Sequence, residues 1–97
     1  MKNKEIAAMF ETMADVMEIK GENRFRVNSY RQVARTLSDM TEAVEKVAEE
    51  GELEDLPNIG GSSAEKIRQY LDEGRMDRYE EIVSGFPLDA LEMLDIP

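Results

Sequence analysis

The chain has 97 residues, a net charge of −10, and neither cysteine nor histidine, so we expect one domain with one modest core. Without cysteine and histidine it lacks disulfides, thiolate ligands and the commonest general base, which excludes typical zinc sites and serine or cysteine hydrolases that use histidine. No apolar run approaches the length of about 18 residues that a membrane span needs, and charged residues open the chain, so we expect a cytoplasmic protein without a membrane partner.

The charge is unevenly distributed along the chain. Residues 20–36 carry +4, whereas residues 37–56 carry −7. Affinity for nucleic acid comes largely from cations that replace counterions on phosphates, so the net charge argues against tight DNA binding. A single basic stretch on an acidic body can still orient the protein on DNA. The acidic segment suits a protein-interaction domain equally well, and that alternative stays open.

The first predicted helix begins at Asn3, a good N-cap residue, and ends at Gly21, which suits the C′ position. Its apolar residues recur at helical spacing and predict a buried stripe formed by Ile6, Phe10, Met13 and Met17.

The second predicted helix begins after Asn23 and runs to about Asp39, and its buried face is Val27, Tyr30, Val33, Ala34 and Leu37. At 100° per residue, four polar residues fall within about 60° of one another on the opposite face and form a mostly positive stripe: Arg24, Asn28, Arg31 and Arg35.

Arg26 falls inside the apolar sector of the second helix, and two interpretations stay open. Its stem could lie at the edge of the core while its guanidinium reaches water. Alternatively, Arg26 and Tyr30 emerge where the core opens into a shallow pocket, and there they offer a cation and a phenol to a phosphate.

The third helix is predicted at about residues 42–50, capped by Thr41 and closed by Gly51, and a single helical turn follows at residues 53–56. A fourth helix is predicted at 63–73, ending before Gly74, and a fifth at 76–83, followed by short turns at 88–94. No strand-like alternation is present. The sequence therefore predicts an all-α fold, a compact bundle of five to six short helices.

A tight polar turn leads into the fourth helix. Pro57 ends the preceding turn, Asn58 and Gly60 tolerate positive φ, and Ser62 or Ser63 is predicted to cap the helix. This arrangement is expected to leave outward-pointing, unpaired backbone N–H groups on Ile59, Gly60 and Gly61. Unpaired amides at a helix N-terminus bind phosphate.

The pattern Leu56-Pro-x-Ile-Gly-x-x-x-Ala-x-x-Ile resembles a helix-hairpin-helix motif, placed at about residues 53–73. Together with four further segments it resembles the N-terminal domain of family X DNA polymerases over nearly the whole chain: Asn3-Lys-Glu-Ile-Ala, Lys20-Gly-Glu-Asn-x-Phe-Arg-Val, Ser29-Tyr-Arg-x-x-Ala-Arg-x-Leu and Leu71-Asp-Glu-Gly-Arg. Residues 1–97 are therefore predicted to form a single helix-hairpin-helix DNA-binding domain.

In that family an Ile-Pro pair opens a second hairpin, and this sequence ends at Ile96-Pro97. The chain is accordingly either a free-standing domain or a part of a longer polymerase, and both alternatives stay open. A polymerase domain is a further partner that the resemblance implies, and no polymerase activity is expected from this chain alone.

The resemblance implies a module that binds backbone and 5′-phosphates at gapped or nicked DNA, and that recognises DNA structure rather than base sequence. No cofactor is required, although hairpin carbonyls of this family can hold a monovalent cation, Na or K. The pocket for the 5′-phosphate would consist of Arg26, Tyr30 and Arg78 around Lys66. With the hairpin and the basic stripe, the candidate phosphate-binding residues are Ile59, Gly60, Gly61, Ser62, Arg26, Tyr30, Arg78, Arg31 and Arg35.

The resemblance also implies an alternative, enzymatic function. Ala64-Glu-Lys-Ile matches the segment whose lysine forms a Schiff base with the 5′-deoxyribose phosphate left during base-excision repair, which makes Lys66 the candidate catalytic residue of a lyase. Lys66 lies in the first turn of its helix, where the helix dipole disfavours a positive charge. The sequence departs from the family pattern at Ser62, where lyase members have lysine, and at Asn58 and Ser63, where the pattern has glycine and an apolar residue.

Overall fold

The computed structural model of the protein describes residues 1–85, which form five α-helices, one 3₁₀ turn and no strand. This confirms the predicted all-α fold. The turns predicted at 88–94, and with them the full extent of a 1–97 domain, fall outside the described residues. The elements are α1 Asn3–Ile19, α2 Arg24–Asp39, α3 Val44–Glu49, the 3₁₀ turn Leu53–Asp55, α4 Gly61–Glu73 and α5 Asp77–Ser84.

Helices α1 and α2 pack along each other and form the centre of the core. The predicted apolar stripes of both helices are buried. The rings of Phe10 and Tyr30 meet edge to face, with centroids 5.5 Å apart and planes at 66°, a favoured arrangement for aromatic pairs. This contact anchors Tyr30 on α1 and fixes its position next to the cavity described below.

The start of α2 is set by a local side-chain cap. Asn23 Oδ1 accepts hydrogen bonds from the N–H groups of Phe25, at 2.8 Å, and Arg26, at 3.4 Å. These bonds satisfy two of the helix's free donors. The predicted start, end and buried face of α2 are confirmed.

Asn3 does not cap its own helix, contrary to the prediction. It is the first residue of α1, is only 2% exposed, and bonds to the start of α3. Its Nδ2 donates to the carbonyl of Glu42 at 2.7 Å, and its Oδ1 accepts from the N–H of Val44 at 2.9 Å. The predicted Thr41 cap is therefore also wrong, since α1 supplies the acceptor, and α3 is shorter than the predicted 42–50.

Helix α3 ends at a glycine that redirects the chain toward the hairpin. Gly51 has φ of 72°, its N–H donates to Ala48, and the following N–H of Glu52 donates to Val47. This pair of bonds is a Schellman motif, which favours glycine because the backbone is left-handed at that position. The 3₁₀ turn that follows buries Leu53 in the core, and the hairpin begins directly after it.

Candidate nucleic-acid interface

The hairpin between the 3₁₀ turn and α4 is a tight turn held from both sides. Asn58 has φ of 66°, as its predicted tolerance of positive φ allows. The N–H of Ile59 donates to the carbonyl of Leu56 at 3.3 Å, and the Ile59 side chain is buried. From α2, the hydroxyl of Thr36 donates to the carbonyl of Pro57 at 2.9 Å. The hairpin is thus fixed to the core and to α2 before any ligand binds.

The free amides of the hairpin lie slightly later in the chain than predicted. Helix α4 begins at Gly61 without a side-chain cap, so the predicted capping by Ser62 or Ser63 is wrong. The first helical bond runs from Ala64 N–H to the carbonyl of Gly60 at 2.9 Å. Within residues 1–85, the N–H groups of Gly60, Gly61 and Ser62 have no hydrogen-bond acceptor. Ile59 does not belong to this set, because the turn uses its amide.

An open cavity of about 660 Å³ lies beside these amides, where the first turn of α2 faces α4 and α5. Its lining includes all four residues that the resemblance placed around a 5′-phosphate: Arg26, Tyr30, Lys66 and Arg78. Ser62 belongs to both features, because it lines the cavity and carries a free amide. The full lining is Asn23, Phe25, Arg26, Ser29, Tyr30, Ser62, Ser63, Lys66 and Arg78.

Lys66 is held at the cavity by its own helix and by Tyr30. Its Nζ donates to Ser62 Oγ at 2.7 Å and to the Ser62 carbonyl at 3.4 Å, and it lies 6.0 Å from the centroid of the Tyr30 ring. Within the described part of the chain, neither Lys66 nor Arg26 forms an ion pair with a carboxylate. Both charges are therefore available to an anion that enters the cavity.

Arg78 contributes a third cation, which is partly neutralised. The neighbouring Tyr30 hydroxyl raises the pKa of Arg78 against the effect of burial, and the nearby carboxylates of Glu81 and Glu22 add to the shift. Arg78 Nη1 donates to Glu81 Oε1 at 3.1 Å. The guanidinium thus stays charged, and its ion pair within the described residues is with Glu81.

The hairpin, its free amides and the neighbouring basic cavity are the features of a known domain family. The family model of the helix-hairpin-helix domain matches residues 1–76. The chain belongs to this family. Membership supports DNA binding in general, since the hairpin presents backbone amides suited to phosphate.

The helix-hairpin-helix domain also has a curated relative. The chain is 30% identical, over all 97 residues, to the N-terminal region of this relative, the DNA polymerase/3′-5′ exonuclease PolX of Bacillus subtilis (strain 168). This similarity confirms the resemblance to the N-terminal domain of family X polymerases. The chain spans only 16% of the length of that relative.

Arg31 lies outside the cavity of the helix-hairpin-helix domain, among three carboxylates of α1. Its guanidinium contacts Glu11 and Asp15 at 2.9 Å each and Glu18 at 3.0 Å. Burial disfavours the charged form, but the hydrogen bond to Asp15 and the charges of Asp15, Glu11 and Glu18 outweigh it, so the pKa of Arg31 is raised. The positive stripe predicted along α2 is therefore interrupted where Arg31 is neutralised.

Arg35 also lies away from the cavity, on the other side of the hairpin. It is exposed, with only a long contact of 3.8 Å to Asp39. It borders a shallow groove together with Thr36, Pro57 and Asn58. Arg35 can therefore reach an anion near the outer side of the hairpin but not one in the cavity.

Phe25 is a candidate binding residue that the sequence analysis did not identify. Its side chain is 86% exposed, yet it lies at the rim of the basic cavity. A signal was present in the sequence, because at 100° per residue Phe25 falls on the side of α2 opposite its apolar face. An exposed aromatic ring at the rim of a basic cavity can stack on a nucleic-acid base that lies beside it.

The described residues show no site for a divalent metal and no membrane span. Within residues 1–85, no group of three or more His, Cys, Asp or Glu residues is placed to hold a metal ion. In the same range, no helix combines the length and the apolar composition that crossing a membrane requires.

Proposed function

We propose that this helix-hairpin-helix domain binds gapped or nicked DNA by two phosphates at once. One is a backbone phosphate at the free amides of Gly60, Gly61 and Ser62. The other is a terminal 5′-phosphate in the cavity, where Arg26, Lys66 and Arg78 supply positive charge and Tyr30 a hydroxyl. The observation that carries the proposal is the continuity of the two features through Ser62, which belongs to both.

Electrostatics favour a local interaction over a long basic track. The chain carries −10 overall, so phosphates away from the cavity are repelled rather than attracted. Two of the cavity's cations, Arg26 and Lys66, have no carboxylate partner among the described residues, so a ligand does not have to displace one. The domain is accordingly expected to bind moderately, with a preference for DNA that ends in a phosphate within reach.

Phe25 gives the same preference a second physical basis. Its exposed ring, next to the phosphate cavity, can stack on a base whose face is uncovered. A gap or a frayed end exposes such a face, whereas continuous duplex does not. Phosphate and base contacts would therefore both select for interrupted DNA.

The domain would act together with other components. We propose a polymerase domain as the partner that uses the positioned gap, in keeping with the longer relative, and a monovalent cation bound by hairpin carbonyls when DNA is present. The carbonyls of Leu56 and Pro57 each accept one hydrogen bond and retain a second lone pair. We also propose a cytoplasmic location.

The test is binding of the chain to gapped DNA with and without a 5′-phosphate in the gap, at two salt concentrations. We expect tighter binding to the phosphorylated DNA, a smaller difference at high salt, and loss of the preference in Arg26→Ala. Arg24→Ala is the matched control, because Arg24 is exposed in the same turn but borders a different cavity with Glu18 and Glu22. Equal or absent binding to both DNAs would contradict the proposal and favour an acidic protein-interaction domain.

A second candidate function, 5′-deoxyribose-phosphate lyase, is favoured by the position of Lys66 in the same cavity. The Lys66 amine, in its neutral form, would attack the sugar aldehyde and form a Schiff base with loss of water. Transfer of the C2′ proton to water would then expel the 3′-oxygen, which breaks the C3′–O bond and leaves a 5′-phosphate on the DNA. Hydrolysis of the Schiff base returns the free amine, so the reaction needs no metal or external oxidant.

Reductive trapping distinguishes the lyase from a binding module. Borohydride is added to the chain with DNA that carries an incised abasic site, and the covalent adduct is measured. A lyase gives an adduct that Lys66→Ala removes even at protein concentrations that saturate the DNA. The control Lys46→Ala, which changes an exposed lysine of α3 outside the cavity, keeps the adduct. No adduct in the wild type, or an adduct unchanged in Lys66→Ala, rules the lyase out.

A further inference from the structure

A carboxylate of the chain itself lies beside the first residue of α4. Glu54, in the 3₁₀ turn before the hairpin, places Oε1 so close to Gly61 that a Cβ on Gly61 would stand 2.9 Å from it. Gly61 is the first residue of α4, and its amide has no hydrogen-bond acceptor within the described residues. Within residues 1–85, the Glu54 side chain takes part in no ion pair or hydrogen bond.

The position of this carboxylate matters because of the charge at the start of a helix. Free N–H groups give the first turn of α4 a partial positive charge, and that charge attracts an anion. Glu54 is an anion of this chain beside the same turn, and within the described residues it accepts no hydrogen bond from these amides and pairs with no cation. A DNA phosphate that approaches Gly60 and Gly61 must either displace the Glu54 side chain or bear its repulsion.

We propose that Glu54 is an intramolecular competitor of the DNA phosphate at the hairpin and that it limits the affinity of the domain for DNA. This inference rests on the proposed function. The side chain is exposed and forms no ion pair within the described residues, so it can turn away when DNA binds, and that movement adds a cost to every binding event. The domain would thereby release DNA readily in spite of a preformed hairpin.

The glycine at position 61 leaves room for the Glu54 carboxylate. Its backbone is helical rather than left-handed, so its conformation alone does not require glycine. The Glu54 carboxylate occupies the space that a Cβ would need. The absence of a side chain at position 61 therefore allows the carboxylate to lie against the helix start.

The test compares Glu54→Gln with Asp55→Asn in binding to gapped, 5′-phosphorylated DNA. Asp55 is the matched control, because it is the exposed neighbour in the same 3₁₀ turn and its substitution removes the same charge. We expect Glu54→Gln to bind about three- to tenfold tighter at low salt, with a smaller gain at high salt, as removal of a nearby like charge predicts. Asp55→Asn should change the affinity less than about twofold.

Three results would overturn the inference. If both variants tighten binding equally, only net charge matters. If Glu54→Gln binds no better than the wild type, the carboxylate does not compete. In both of these cases the proposed function still stands if the wild type prefers 5′-phosphorylated DNA and Arg26→Ala loses that preference, so only the role of Glu54 is contradicted. If neither the wild type nor either variant binds DNA, the proposed function and this inference both fail.

Discussion

Two arginines of α2 five residues apart have opposite environments. Arg26, in the first turn, is exposed, borders the cavity, and has no ion pair within the described residues. Arg31, further along, is 30% exposed on its side chain and contacts three carboxylates. The comparison shows that the partners of an arginine, rather than the density of arginine in a segment, decide whether its charge is available to DNA.

The difference follows from helix geometry. Residues five apart on an α-helix differ by about 140° around the axis, so Arg26 and Arg31 face different neighbours. Arg31 faces α1, where Glu11, Asp15 and Glu18 recur at helical spacing. Arg26 faces the start of α4 and α5, where the side chains at the cavity are cationic or hydroxylated.

The largest expected effect comes from giving Arg26 an acidic neighbour like those of Arg31. Ser29→Glu places a carboxylate three residues after Arg26, inside the cavity. We expect affinity for gapped, 5′-phosphorylated DNA to fall about tenfold or more, because the new charge pairs with Arg26 and repels the phosphate. The control Gln32→Glu adds the same charge to the same helix outside the cavity. Equal losses in the two variants would show that the cavity has no special role.

Removing Arg31 should affect stability instead of binding. Arg31→Ala leaves three neighbouring carboxylates without their shared cation, and we expect the free energy of unfolding to fall by about 1–2 kcal/mol. Arg35→Ala, which removes a fully solvated arginine of the same helix, should cost less than about 0.5 kcal/mol. Chemical denaturation measures both. If Arg31→Ala is as stable as the wild type but binds DNA several-fold more weakly, Arg31 serves DNA binding rather than stability, contrary to this comparison.

A smaller effect on binding is expected from the aromatic residue beside Arg26. Phe25→Ala should weaken binding to gapped DNA about fivefold, as the loss of one base-stacking contact predicts. It should leave the thermal midpoint unchanged, because the exposed ring packs against nothing in the described part of the chain. Phe25→Trp should restore the affinity. A lower midpoint in Phe25→Ala would mean that the ring serves the fold.

The smallest effect, and the sharpest distinction between the two arginines, lies in the salt dependence of binding. Each phosphate neutralised contributes about 0.7–0.9 to the slope of log affinity against log salt. Arg26→Ala should reduce the slope by about one contact. Arg31→Ala should leave it unchanged, because its carboxylates already neutralise Arg31. Equal slopes for the two variants would contradict the claim that the charge of Arg26, but not that of Arg31, is available to a DNA phosphate.

The sequence predicted best what depends on near neighbours. The bounds and buried face of α2 follow from the Asn23 cap and helical periodicity, and both are confirmed. The positive φ of Asn58 followed from residue type in the same way. The family pattern grouped Arg26, Tyr30, Lys66 and Arg78, which the fold does bring together. Their binding roles stay predictions.

Most of the errors concern side chains whose partners are distant in sequence. Arg31 was placed on an open stripe because periodicity reports which face a residue occupies and not which helix covers that face. The amide of Ile59 is a local exception, because it was expected to be free but a turn bond to Leu56 uses it. Contacts between α1 and α3 decided the cap of α3, and no local signal encodes such a contact.

The bonds of Asn3 have a consequence for the order of folding. Isolated short helices are marginal in water, and α3 has only six residues. Because its first N–H is bonded by a side chain from the start of α1, α3 gains its cap only after α1 has docked, across a separation of 41 residues. Val44 N–H should therefore exchange with solvent deuterium whenever the beginning of α1 frays, even while the rest of the core stays closed.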